Sequence, residues 1–275
     1  DGLYPSIRIT HSQSNQYLGL LGESNRLEFS SLQFFYPISK WQVSFGGTHV
    51  VSRYQDSTST TGGLEITFSH KDFSLNDFAI DPDKGDRGHR VDLKLTGYLL
   101  GEKQFSSYEL LWEQRVPSFI DSHFFRSVLS VARSTNRELS SKYFVGGGIS
   151  NISLLSPYLV RGYPSGVLYG RSMFTLNLEY WLPLMRIYSG RGVIPLYHYR
   201  TKMRFFLDTG TAELVSNENS AFNKWPIGVG IQFMHDTKVL FRFPLTLAVG
   251  FNFGLSSQYN KETQVVLGLI SRTND

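Results

Sequence analysis

Three charged side chains, far apart in the chain, have the types and settings to do specific chemistry together. Arg161 stands in the string Val160-Arg161-Gly162-Tyr163, within a long connection spanning residues 135–170. Glu179 lies in Leu178-Glu179-Tyr180-Trp181-Leu182-Pro183-Leu184, and Asp208 in Phe205-Phe206-Leu207-Asp208-Thr209-Gly210. Arginine carries a rigid, permanently charged fork that meets a carboxylate through two parallel hydrogen bonds. Strand alternation sets Asp208 with Arg204 and Phe206, opposite Phe205 and Leu207, and sets Glu179 on the same kind of wet face. The expectation is therefore a pair of Arg161 with Asp208 or with Glu179, holding the long connection against that face. Gly162, directly after the arginine, permits a tight bend.

Other chemistries find little footing. With no cysteine, zinc-thiolate sites, disulfides and thiol nucleophiles are excluded. A serine hydrolase needs a nucleophile within reach of a base. The seven histidines stand in no catalytic string, and Gly162-Tyr163-Pro164-Ser165-Gly166 has the wrong order for a nucleophile elbow. Asp81, Asp83 and Asp86 beside Gly85 lack the later Glu of a calcium loop. No catalytic residue, metal ligand or cofactor is expected, and the chain reads as a non-enzyme. The surplus of 27 Lys and Arg over 23 Asp and Glu is scattered, so no nucleic-acid partner is expected.

The elements that must position Arg161, Glu179 and Asp208 are strands. Apolar and polar residues alternate with a period of two over long stretches. Phe174, Leu176, Leu178, Tyr180 and Leu182 oppose Thr175, Asn177 and Glu179. Phe243, Leu245, Leu247, Val249, Phe251 and Phe253 oppose Thr246, Ala248, Gly250 and Asn252. About twelve such segments can be read, near 4–12, 26–36, 41–53, 62–71, 88–100, 104–116, 122–134, 171–184, 198–210, 225–236, 241–254 and 262–271. They exceed the five or six residues of an ordinary globular strand. Their polar faces carry Gly, Thr, Asn and charges of both signs, among them Glu65, Arg126 and Arg204. Short turns are expected on one side and long polar loops on the other. Charged residues amount to only 18% and aromatics to 15%, at a mean hydropathy of −0.19. No apolar run reaches the roughly 20 residues that a membrane helix requires. The pattern is that of an all-β transmembrane antiparallel β-barrel of about twelve strands, with one long loop that the Arg161 pair would pin inside. Trp41, Tyr54, Trp112, Trp181 and Trp225, near strand ends, would form interfacial girdles.

The order of these strings resembles the BamA-like bacterial surface antigen superfamily of outer-membrane assembly and translocation barrels. The resemblance implies that Val160, Arg161, Gly162 and Tyr163 are the tip of an extracellular loop that folds back into the barrel. It implies that Phe206, Asp208 and Gly210 form the inner-wall motif that receives the arginine, with Glu179 on the wall between them. Asp81-Pro82-Asp83-Lys84-Gly85 would be a periplasmic turn. Localisation in the bacterial outer membrane follows from the resemblance. So does a role in inserting or translocating protein or lipid. The implied partners are outer-membrane lipids and lipopolysaccharide, with a polypeptide substrate or a periplasmic partner, the barrel itself being a monomer. A passive pore or a membrane anchor for a soluble domain is the alternative, and a lipid-modifying enzyme a further one.

The chain departs from the family in three ways. Family barrels have sixteen strands, whereas only about twelve fit here. No POTRA-like α/β pattern precedes the strands, so residues 1–275 read as a single barrel domain with a lumen-plugging loop at 135–170. Members usually stop at a terminal Phe or Trp, and here Leu267, Leu269 and Ile270 are followed by Ser271-Arg272-Thr273-Asn274-Asp275.

Overall fold

The alternation produces long strands and no helix among the described residues of the computed structural model. These are residues 5–18, 23–54, 57–73, 87–100, 104–120, 122–135, 144–147, 158–164, 166–191, 194–215, 220–221, 225–240, 243–256 and 263–271. The strands are β1 (Ser6–Leu18), β2 (Glu23–Ile38), β3 (Trp41–Tyr54), β4 (Ser57–Phe73), β5 (Gly88–Leu100), β6 (Phe105–Pro117), β7 (Phe124–Ser134), β8 (Phe144–Gly146), β9 (Leu168–Gly170), β10 (Ser172–Arg191), β11 (Ile194–Val215), β12 (Ser220–Ala221), β13 (Ile227–Val239), β14 (Phe243–Gly254) and β15 (Thr263–Ser271). One antiparallel sheet of 13 strands follows chain order, β1 to β7 and then β10, β11, β13, β14 and β15, with β12 added on β11. β8 and β9 form a separate two-stranded sheet.

The two faces invert the usual arrangement of a water-soluble sheet. Leu178, Phe205, Leu207, Phe233, Phe251 and Val265 are exposed. Thr175, Asn177, Glu179, Arg204, Asp208, Gln232, Asn252 and Gln264, which alternate with them, are buried. Such a sheet keeps its polar side chains away from the solvent that faces its apolar ones. The compact hydrophobic cluster lies between the polar face and the long connection. Phe144, Tyr158, Val160, Tyr163, Val167 and Leu168 come from the connection, and Ala132, Met173 and Ala212 from β7, β10 and β11. Those last three sit side by side, since Met173 pairs with Ala132 on one flank and Ala212 on the other. Two small side chains flanking a methionine leave room for the inserted segment.

The structure differs from the sequence expectations in several places. The connection 135–170 has strand structure of its own: β8 and β9 pair from Phe144 with Gly170 to Gly146 with Leu168. β10 and β11 continue well past 184 and begin before 198, so that only residues 192–193 separate them. Pro183 did not end β10. Without an N–H it costs a ladder bond, and the register shifts between Pro183 and Met185 instead. The division into a short-turn side and a long-loop side holds for most connections, with two exceptions. The connection after β3 spans only 55–56, although it opens on the same side as the long one, and the connection after β4 takes 74–87 on the opposite side. Asp81 to Gly85 and Gly148 lie outside the described residues.

An apolar face this continuous makes position-specific demands. In a lipid bilayer, Leu207→Arg or Phe251→Arg is expected to destabilise the protein by about 2–4 kcal/mol, the cost of a cation near mid-membrane on the lipid side of a strand. Urea unfolding of the protein reconstituted in lipid vesicles measures this. An unchanged midpoint would place that face elsewhere than in lipid.

Candidate functional site

The site is assembled from two neighbouring ladder rows. One runs Arg115, Arg126, Glu179, Phe206, Gly230, Asn252, Gln264 across β6, β7, β10, β11, β13, β14 and β15. The next runs Glu113, Val128, Asn177, Asp208, Gly228, Gly254 across β6 to β14. Residues two apart on one strand share a face, so both rows point their side chains at the inserted connection.

Arg161 lies at the centre with no solvent exposure. Its Nε donates to Asp208 Oδ2 at 2.6 Å and its Nη2 to Asp208 Oδ1 at 2.7 Å, a bidentate pair. The Arg161 backbone N–H adds a third bond to Oδ2 at 3.0 Å. Nη2 also lies 2.9 Å from Glu179 Oε1. The sequence left Asp208 and Glu179 as alternatives, and the guanidinium reaches both. Its Cζ stands 3.6 Å from the centroid of the Phe206 ring, close enough for a cation–π contact. Nη1 alone finds no hydrogen-bond partner among the described residues.

Glu179 is shared by three guanidinium groups. Besides Arg161, Arg204 Nη1 donates to its Oε1 at 3.0 Å and Arg126 Nη1 to its Oε2 at 3.0 Å. The indole of Trp181 donates to Oε2 at 2.9 Å. Arg126 Nε continues to Glu113 Oε1 at 2.7 Å, which also accepts from Arg115 Nε at 2.8 Å. Arg204 Nε donates to Gln232 Oε1 at 2.8 Å. Every buried charge here touches an opposite one, the condition under which such a network can stand in a dry interior.

Bare backbone makes the close approach possible. A Cβ on Gly228 would fall 1.8 Å from the Arg161 carbonyl oxygen. Gly162 has φ of +87°, in the left-handed region, and a Cβ there would lie 2.6–2.7 Å from the backbone of Phe253 and Gly254. Tyr163 is fully buried; its hydroxyl donates to Ile227 O at 3.0 Å and accepts from Ser256 N–H at 2.8 Å. Gln264 on β15 accepts from Gly162 N–H at 3.2 Å and donates to Tyr163 O at 3.1 Å. Asn177 Nδ2 donates to Leu159 O at 2.7 Å. Val160 is buried in the apolar cluster. Gly210 lies one row away, where a Cβ would fall 2.9 Å from the Leu168 side chain of β9. All eight expected residues thus contact the inserted segment or belong to it.

Sequence reasoning missed several members. Trp181, expected in an interfacial girdle, turns to the polar face, since it shares parity with Glu179. Arg126 and Arg204 were read as general wall charges, and their convergence on Glu179 depends on register between strands. Gly228 and Gly254 carried a signal: a glycine inside a strand often marks close approach of another backbone.

No protein-family model matches the sequence, and no curated protein matches it. Among solved structures, the chain is similar to BamA from Haemophilus ducreyi lacking POTRA domains 1–3, at a TM-score of 0.68 and 10% sequence identity. The fold is BamA-like. The similarity covers 97% of this chain and 58% of that one, so the chain spans little more than half of its neighbour's length.

Removing one partner of the buried pair strands the other. Asp208→Ala is expected to cost about 3–5 kcal/mol of stability, and the double variant with Arg161→Ala clearly less than the sum of the two single changes. Denaturant unfolding of the four proteins measures the coupling. Gly228→Ala, by its contact with the Arg161 carbonyl, is expected to expel the loop tip. Limited proteolysis should then cut near residues 158–164, where the parent protein is expected to resist cleavage.

Proposed function

We propose that the chain closes into an outer-membrane β-barrel of about twelve strands, plugged by its own loop. In this reading it acts in the insertion or translocation of protein or lipid at the bacterial outer membrane. The observation that carries the proposal is the fully buried Arg161, held on the polar face by Asp208 and Glu179. A passive pore would need that face open to water; here the connection covers it from β6 to β15, from Tyr158 on Glu109 to Gly162 on Gln264.

The exposed apolar face supports a lipid setting, and a closed sheet would satisfy its backbone groups without water. The outer-membrane location rests on the likeness to BamA. The partners of this reading are outer-membrane lipids and lipopolysaccharide around a monomeric barrel, together with a polypeptide substrate or a periplasmic partner. Neither nucleic acid nor a cofactor has a role, and no residue is assigned to catalysis. The mechanism rests on strand edges. β1 and β15 end the strand path, and parting them at the seam of the closed sheet would bare an edge on which an incoming strand can form hydrogen bonds. Among the described residues β15, with 9, is the shortest strand of the path.

Planar-bilayer conductance and a client-insertion assay test this together. The parent protein is expected to give small, flickering conductance that grows when Arg161 is replaced by Ala, and to speed the insertion of an unfolded outer-membrane strand protein into vesicles. Large, steady channels that ignore the Arg161→Ala change would make the protein a plain pore or anchor.

A further inference from the structure

The loop tip is tied to the last strand as well as to the wall that carries Asp208. Gln264 of β15 is 7% exposed, and its amide group is used in both directions. Its Oε1 accepts from Gly162 N–H and its Nε2 donates to Tyr163 O, so one side chain reads two successive peptide units of the tip. The neighbouring contacts serve the same end. The Tyr163 hydroxyl is held by Ile227 O at the start of β13 and by Ser256 N–H just after β14. Among the described residues, β15 has β14 as its one ladder partner, from Leu245 with Ser271 to Phe253 with Thr263.

The geometry points to Gln264 as a positioning residue, a latch by which the Arg161-anchored loop holds the terminal strand in the sheet. The inference rests on the insertion reading for its purpose, though not for its physics. Among the described residues, β15 is held to β14 over 9 residues. Two further hydrogen bonds from a rigid, ion-paired tip lie on its inner face at Gln264, far from the Leu269 end. Release of the tip from Asp208 would remove these two bonds from β15. The state of a loop in the interior would thereby set the freedom of the strand edge.

Hydrogen–deuterium exchange of β15 amides in the full chain, reconstituted in phosphatidylcholine vesicles, reads the latch directly. Gln264→Leu keeps the size and loses both bonds. Gln264→Glu keeps the acceptor for Gly162 and sets an oxygen against the Tyr163 carbonyl. Both are expected to exchange about tenfold faster in β15, the change that follows from losing ordinary hydrogen bonds, while β10 and β11 keep the parental rate. Asp208→Asn should speed β15 by a similar factor, and the Asp208→Asn, Gln264→Leu pair no further, because both changes cut the same tie. Retained mobility shift of the unheated protein in electrophoresis reports that each variant is folded. Unchanged β15 exchange in both folded Gln264 variants, or additive effects in the pair, would overturn the latch. Faster β15 exchange with no change in client insertion would keep the latch and remove the insertion reading instead.

Discussion

A guanidinium cut off from water has to be met by carboxylate, and this requirement at Arg161 organises the C-terminal half of the molecule. Asp208 alone would balance the charge. Asp208 and Glu179 together leave a negative excess, and Arg204 and Arg126 supply the compensation. Arg126 then calls on Glu113, and Glu113 on Arg115. The chain of pairing ends at β6, where Arg115 is partly exposed. A single buried cation on a loop thus fixes the identity of side chains on four strands. Burying ion pairs is a poor source of net stability compared with apolar packing. Its effect lies elsewhere: only one placement of the tip satisfies all these partners, so the network specifies a position.

That specification needs room. A strand with ordinary side chains keeps an inserted backbone well away from its own. At β13 and β14 the side chains facing the tip are missing, and the Arg161 carbonyl and the Gly162 peptide settle against bare backbone at Gly228 and Gly254. Phe206, on the next row, fills the floor beneath the guanidinium and pushes against Gly230. Charge pairing pulls the tip down, the glycines permit the depth, and the cluster of Val160, Tyr163, Leu168 and Met173 removes apolar surface from water around it. Each contribution is local, and the three act on the same short segment.

Much of this was legible in the sequence because its cause is local. Alternation along Phe174 to Leu182 and along Phe243 to Phe253 gave strand type and face, and parity alone set Asp208 and Glu179 on the polar side. What stayed hidden is what depends on register between strands. Nothing in the sequence near Arg126, Arg204 or Gln264 says that they share neighbouring rows with Glu179 and Phe206; that follows from ladder pairing across six strands. Trp181 was misread for a related reason. With the segment read as 171–184 it stood near a strand end, whereas β10 runs on to Arg191 by shifting register after Pro183. The strands of the loop, β8 and β9, are only 3 residues each, too short for alternation to show.

The two halves of the sheet therefore depend on different things. From β2 to β5 the polar side chains pair within a strand or over one or two strands: Lys94 and, across Gly46 of β3, Gln33 with Glu65; Ser69 and Arg90 with Asp92; Lys40 of the β2–β3 turn with Asp72. Such contacts reinforce the neighbouring ladders and reach no further. From β6 to β15 the polar side chains also bind the inserted segment, which touches strands that never touch one another. Cooperativity follows from that connectivity. Loosening one pair in the first half stays within three neighbouring strands, whereas loosening the Arg161 tip withdraws support at once from β10, β11, β13 and β15. The tip thereby couples β15 to β10 and β11, strands that lie apart from it in the path.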